Sequence, residues 1–401
     1  MHAVVVAARV VVVVVTKRFH FLALTLCLLS SAALEAAVLP EDRADVLSHS
    51  YEGGGMDITG PSVLVRKGDD KSFSVFANYY VDNISSASID VQSSGASTYK
   101  EERTEQSVGL DYLYGKSIMS LSYTNSEELD YVANSYHFGL SMDMFGDLTT
   151  VSMGVSRGQD EVYKSTKVDG VKQRDPDFKK DVDRRHYRLG LSQILTKNMI
   201  LALNFETITD EGYLNNPYRS VRYKNGPDST NSEAEKYPAT RTSNAASGKI
   251  KYFLPWRAAV HAEGRIYADD WGIRARDSKL GLTQPIGEHW IAELRYRFYS
   301  QTKADFYNDL FEAPSTDELD FRARDKELSS FYSKTIGLGL SYEFAKSGWG
   351  FVDKASVNLV YDRVEFTYED FRDIRVSGTI GQEPFYQFSA NILQLFVSMW
   401  Y

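Results

Sequence analysis

The stretch Ser135-Tyr136-His137-Phe138-Gly139-Leu140-Ser141-Met142-Asp143-Met144 alternates small or polar residues with apolar ones at every step. A helix would scatter Tyr136, Phe138, Leu140, Met142 and Met144 around its circumference, whereas a strand gathers all five on one face. After a turn at Gly146-Asp147 the parity resumes, with Val151, Met153 and Val155 set against Thr150, Ser152, Gly154 and Ser156. The two segments read as an antiparallel hairpin with one apolar and one polar face.

The same unit recurs in both directions along the chain. Phe73, Val75, Ala77, Tyr79 and Val81 share a face, as do Val108, Leu110, Tyr112 and Tyr114, followed by Met119, Leu121 and Tyr123 after Gly115-Lys116. Leu189, Leu191 and Leu195 run through Thr196-Lys197-Asn198 into Met199, Leu201, Leu203 and Phe205. Later members include Trp290, Leu294, Tyr296 and Phe298, then Ile336, Leu338, Leu340, Tyr342 and Phe344. Strand, short turn, strand, long polar loop is the rhythm of an all-β, transmembrane, antiparallel up-and-down barrel. Counted from Ser72 there are about 14 strands, an even number that puts both barrel ends on one side. A soluble sandwich also alternates. Two features favour the barrel: apolar faces that close on Tyr79, Tyr114, Tyr123, Phe145, Trp256, Tyr267, Trp290, Phe344 and Phe366, and a last strand that ends on Trp400 and Tyr401.

Composition is compatible. Of 401 residues 43% are hydrophobic and 26 are Tyr, which suits half-wet aromatic girdles. The mean hydropathy of -0.34 is no objection, because a barrel needs apolar residues only at alternate strand positions. Lys17 and Arg18, the apolar run Phe19 to Leu29 and the small residues Ser30, Ser31, Ala32, Ala33, Ala36 and Ala37 read as a signal peptide over 1–37, cleaved after Ala36 or Ala37. The preceding Val4 to Val15 run is superfluous to it and suggests an over-extended start. The single cysteine, Cys27, lies in that leader, and Leu26 before it is too large for a lipidation site. Cleavage would remove Arg9, Lys17, Arg18 and Glu35 and move the formal charge from -9 to -11, which disfavours a nucleic-acid partner.

Domain organisation follows: leader 1–37, a periplasmic or plug-like segment 38–71, and an outer-membrane barrel 72–401. If the apolar parity faces lipid, the other parity lines the lumen, and mid-chain it is charged: Arg184, His186, Arg188, Glu206, Lys249, Lys251, His261, Glu263, Arg265, Asp277, Lys279, Glu293, Arg295 and Arg297. Such a ladder either orients a small polar or charged solute in a passive channel, or holds a closed structural barrel of an envelope complex together by mutual pairing. The long loops fall near 83–103, 159–182, 211–245, 302–331 and 369–384. Aromatics interleave with Arg219 and Arg222 in the third loop, as a constriction or a packed base. The acidic group Asp317, Glu318, Asp320, Asp325 and Glu327 lacks EF-hand spacing.

Gly-x-Ser-x-Gly, His-Glu-x-x-His, a phosphate loop and Cys-x-x-Cys-His are all absent from the sequence. His137, His186 and His261 stand near serines and acids on the inner parity, as chance alone would place them. The reading is of a protein that is not an enzyme, with no catalytic residues, metal or cofactor; a barrel-wall hydrolase is the distant alternative. The partners this implies are outer-membrane lipid, the barrel-assembly machinery reading Trp400 and Tyr401, and a small solute.

The blocks Pro40 to Asp45 with the Gly-rich stretch to Lys67, Asp181-Val182-Asp183-Arg184-Arg185 running into Leu189 to Leu195, Asn215-Asn216-Pro217-Tyr218-Arg219, and Arg324-Asp325-Lys326-Glu327-Leu328-Ser329 resemble a proteobacterial family catalogued as a domain of unknown function, DUF3570. The resemblance implies an outer-membrane barrel and carries over no ligand or catalytic residues.

Overall fold

The computed structural model describes residues 38–69, 71–86, 99–169, 171–344, 348 and 350–401; the leader over 1–37 lies outside them. In chain order the strands are β1 (Arg43–Gly53), β2 (Met56–Gly68), β3 (Phe73–Ser86), β4 (Tyr99–Tyr114), β5 (Ser117–Glu127), β6 (Tyr131–Met144), β7 (Thr149–Val168), β8 (Val171–Thr196) and β9 (Met199–Gly212). A short hairpin of β10 (Ser220–Lys224) and β11 (Thr230–Ala234) follows. The series continues with β12 (Thr240–Phe253), β13 (Ala259–Asp269), β14 (Arg274–Ile286), β15 (Trp290–Gln301), β16 (Phe331–Phe344), β17 (Lys354–Arg372) and β18 (Phe385–Trp400).

All strands but β10 and β11 form one closed antiparallel barrel in which β18 pairs with β1 along its length, from Arg43 opposite Trp400 to Gly53 opposite Ala390. The barrel therefore has sixteen strands rather than about 14. Fourteen begin after Ser72, as counted; the added two are β1 and β2. Residues 43–68 are wall, not tail or plug. Their alternation is faint because their inner face is apolar as well: Tyr51, Met56, Ile58 and Leu64 turn inward, while Val63 and Val65 turn out.

The tight turns come where Gly115-Lys116, Gly146-Asp147 and Lys197-Asn198 mark them. At the β2–β3 turn Asp69 Oδ1 accepts from the backbone N–H groups of Lys71, Ser72 and Phe73. These turns share one end with Arg43 and Trp400, here the near end; the long connections crowd the far end. Several sequence expectations change there. Of the expected loop 83–103, residues 83–86 and 99–103 are the paired ends of β3 and β4, and 87–98 lie outside the described residues. Residues 159–182 are no loop but the tip of the β7–β8 hairpin, whose partners run from Thr149–Gln193 out to Val168–Val171. Strands of 20 and 26 residues exceed the roughly 9–11 that cross a bilayer. A projecting tip meets water on both faces, so it loses alternation and reads as loop. Tyr267 and Phe366, placed among the outer aromatics, turn inward, where Phe366 packs on Val364 and its neighbours.

Outward positions carry large apolar side chains on every side of the barrel, among them Val108, Leu121, Phe138, Leu189, Leu203, Leu294, Ile336 and Leu393, all exposed. The buried residues instead line the interior.

Candidate functional site in the barrel interior

Opposite parity to the outward apolar rows brings the charged residues to the inner wall of β8–β15, and most of them meet a partner one strand away. His186 Nε2 lies 3.0 Å from Glu206 Oε2, and Arg265 bonds the other oxygen of the same carboxylate. Lys279 Nζ reaches Glu263 at 2.7 Å and Asp277 at 3.4 Å, while Lys249 is 3.8 Å from Glu263. Arg297 donates to both oxygens of Asp277, and Arg295 bridges Glu293 at 2.9 Å and Asp362 at 3.0 Å. The Arg295–Asp362 bond spans an intervening strand. It is possible because β16 presents Gly337 there: a Cβ at Gly337 would stand 2.1 Å from Asp362 Oδ1. Arg184 is 3.2 Å from Asp160 and 3.6 Å from Asp210, so its acids come from β7 and β9.

Three predicted residues join no ion pair among the described residues. Arg188 is exposed on the inner wall, with Glu206 as its electrostatic neighbour. Lys251 feels the like charge of Lys249 on its own strand and the opposite charge of Glu293. His261 lies over Gly281, whose missing Cβ would collide with the ring at 2.1 Å. The inner wall of β8–β15 is thus a mostly compensated polar face, with positive charge outside any ion pair at Arg188 and Lys251.

The opposite wall differs. Tyr51, Met56, Ile58 and Ile84 from the first three strands pack with Val364, Ala390 and Ile392 of the last two. This apolar interior merges at the far end with a larger cluster through Phe366 and Phe388. In that cluster the connections 213–239 and 302–330 fold over the inner-face aromatics Tyr267, Phe331, Tyr368 and Tyr386, contributing Tyr237, Phe306, Tyr307 and Leu328. Buried arginines tie the connections together. Arg222 donates to both oxygens of Glu383 at 2.6 and 3.1 Å and to Asp309, whose other oxygen accepts from Arg324 Nε at 3.1 Å. Arg219 pairs with Asp325, which also caps the 3-10 turn Lys326–Leu328. The Arg-aromatic stretch is therefore divided: 210–212 end wall strand β9, and 213–223 belong to a folded cap. Two of the acidic group pair with arginines: Asp320 bonds Arg322, and Asp325 bonds Arg219. Trp400 and Tyr401 sit at the near end, where Lys354 stacks on Trp400 and Tyr401 donates to the Arg66 carbonyl.

One gathering has no counterpart in the sequence reading. Glu101, Glu128 and Asp130 bring a carboxylate oxygen each to within 4.8 Å of one another at the far end, and among the described residues no other group of acids or histidines does so. Only the local run Glu127-Glu128-Leu129-Asp130 hinted at it.

A family model described as protein of unknown function (DUF3570) matches residues 82–356. None of the curated proteins matches the sequence. Solved structures of similar architecture include a bacterial polysaccharide outer membrane secretin, at 6% identity and TM-score 0.47 over 90% of this chain and 100% of that one. The siderophore receptor PirA from Pseudomonas aeruginosa shows 10% identity and TM-score 0.41 over 82% and 57%. OmpT, an outer membrane protein of Vibrio cholerae, shows 8% and 0.38 over 91% and 100%. At these identities the likeness is to barrel architecture alone.

Proposed function

We propose, starting from a chain that belongs to the DUF3570 family of proteins of unknown function, that this barrel spans a bacterial outer membrane and passes small polar or charged solutes through a water-lined interior. What carries the reading is that the inner-wall charges still meet solvent although they are paired: Arg184 and Arg265 keep 41% and 39% of their side-chain surface. Side chains fill a barrel of about eight strands, whereas about sixteen leave room for an aqueous path. The exposed outward rows of Val, Leu, Ile and Phe suit contact with lipid, where a charged side chain would cost about 2–4 kcal/mol at mid-depth. Arg188 and Lys251 supply positive charge toward the interior, which favours anionic over cationic solutes. No catalytic step is part of this reading.

A second reading, a closed scaffold barrel of an envelope complex, is favoured by the cap, which packs on the inner-face aromatics Phe331 and Tyr386 at the far end. Planar-bilayer recordings of the purified protein separate the two. Discrete conductance steps from the wild type support the channel. A tight seal at all voltages, in the wild type and in a variant whose cap is loosened, would sink it and leave the scaffold. Conductance in the loosened variant alone makes the cap the gate of a channel.

A further inference from the structure

Glu101 is an inner-face residue near the start of β4, at the far end of the barrel, and Glu128 and Asp130 belong to the three-residue connection between β5 and β6. The connection is held by its backbone. Arg174 donates to the carbonyls of Leu129 at 2.8 Å and Glu128 at 2.9 Å, and the Tyr163 N–H donates to the Asp130 carbonyl at 2.8 Å. Its course is thus fixed without its acidic side chains. Asp130 is 1% exposed, yet among the described residues neither of its carboxylate oxygens, nor either of those of Glu101, has a donor in hydrogen-bonding geometry.

Burying an unsatisfied carboxylate is costly unless a counter-charge attends it. Among the described residues, the cations that face the group include two. Arg103 lies 3.7 Å from Glu128 but is shared with Asp82 and Glu105, and Lys172 of β8 acts electrostatically on Glu101 and Asp130. Tyr218 also faces Asp130, with its hydroxyl donating to Ser165 Oγ.

We propose that Glu101, Glu128 and Asp130 form a binding site for a divalent cation of the calcium class. The donors are all carboxylate oxygens, the hard ligands that calcium takes, with no nitrogen or sulfur to favour zinc or copper. Two oxygens bound to one calcium at about 2.3–2.6 Å lie at most roughly 5 Å apart, which the observed 4.8 Å spread satisfies; magnesium, at about 2.0–2.1 Å, demands closer approach. The remaining positions of the six to eight that calcium fills fall to water and nearby carbonyls. Bound there, the ion would join the start of β4 to the β5–β6 connection. The site makes no demand on solute passage.

The test uses the full chain folded in detergent, stripped with a chelator, titrated with calcium by calorimetry and with terbium by tyrosine-sensitised emission, for which buried Tyr131 beside Asp130 is placed. Expected are one saturable equivalent, at least a tenfold loss of affinity in the double variant Glu101→Gln, Asp130→Asn, and no loss in Asp317→Asn, Glu318→Gln of the cap. Heat-shifted gel mobility verifies that each variant is folded. Should the double variant not fold, the single variant Glu128→Gln is read in its place. Absence of saturable binding by the wild type, binding undiminished in the variants of the triad, or magnesium competing on equal terms would each overturn the proposal. A barrel that seals bilayers but binds calcium leaves the site standing and removes only the channel.

Discussion

Arg297 holds Asp277 with a two-point grip, Nε to Oδ1 at 2.9 Å and Nη2 to Oδ2 at 2.7 Å, across the β14–β15 pair. Asp277 is also 3.4 Å from Lys279, which in turn bonds Glu263 at 2.7 Å, so removal of one arginine is felt along a chain of charges. The double substitution Arg295→Ser, Arg297→Ser should cost about 1–3 kcal/mol, because it leaves Asp277, Glu293 and Asp362 short of partners in a partly solvated interior. Measured by the temperature at which gel mobility shifts, the variant should fold but unfold sooner. Its conductance should turn toward cations if these groups line the path. Arg188→Glu, outside every ion pair among the described residues, should move selectivity the same way with little thermal cost; identical selectivity in both variants and wild type would show that solute takes another route.

Arg222 is the clasp of the cap. Its guanidinium joins the β10 strand to Asp309 of one long connection and Glu383 of another. Arg222→Ala strands both buried carboxylates, and truncating one partner of a buried charge pair costs about 3–5 kcal/mol. That cost falls on the cap, since Arg222 and both carboxylates lie outside the wall strands. Limited proteolysis should therefore cut within 302–330 at least tenfold faster than in the wild type, while heat-shifted mobility of the barrel stays. Equal cutting rates would mean that the aromatic cluster holds the cap unaided.

How much of this was legible depended on contrast between the two faces of a strand. Where one face is Leu, Tyr or Phe and the other Arg, Glu or Lys, as in 290–298, parity is easy to follow, and Arg295 and Arg297 lie on the face opposite Leu294 and Tyr296, bonded to Asp362 and Asp277. In β1 and β2 the contrast vanishes, because Tyr51 and Ile58 point in while Val63 and Val65 point out, and a two-sided apolar strand has no period to read. Partner choice was half accessible. Asp277 was within reach of Arg297 by adjacency, but Asp362 comes to Arg295 only because Gly337 empties the strand between them. The cap and the carboxylate triad join residues far apart in sequence, through connections whose path no local pattern encodes.

The cap should also respond to pH through Glu235, buried beside Tyr237 and the Arg324 N–H. Burial first, and the negative charge of Asp325 second, push its carboxyl from 4.5 up to about 7. With the folded value above the unfolded one, the folded cap keeps its proton where the opened cap has lost it. Its contribution to stability is intact below about 4.5 and is lost as pH rises to about 7. Proteolysis of 302–330 should accordingly quicken from about pH 5 to about pH 8, a window that brackets the shifted carboxyl, and Glu235→Gln should flatten that rise. A profile as steep in Glu235→Gln as in wild type assigns the titration elsewhere.

The closing seam gives the last prediction. β18 is paired on one side with β17 and on the other with β1, whose eleven residues from Arg43 to Gly53 all find partners between Trp400 and Ala390. Past the ladder, the Tyr401 N–H donates to the Asp42 carbonyl and its hydroxyl to the Arg66 carbonyl, so the end of the chain touches both strands of the first hairpin. Without Trp400 and Tyr401 the seam loses these bonds and the Lys354 stack on Trp400. The yield of heat-modifiable barrel should then fall several-fold, while barrels that do close unfold only slightly sooner. Beginning the barrel at residue 72 is a harsher change, for it strips β1 and β2 and leaves β3 and β18 as two open edges whose backbone groups have no partners, which lipid does not tolerate. No heat-modifiable species should form from that chain. If it closes nonetheless, fourteen strands suffice and the first hairpin is an addition to the barrel rather than its keystone.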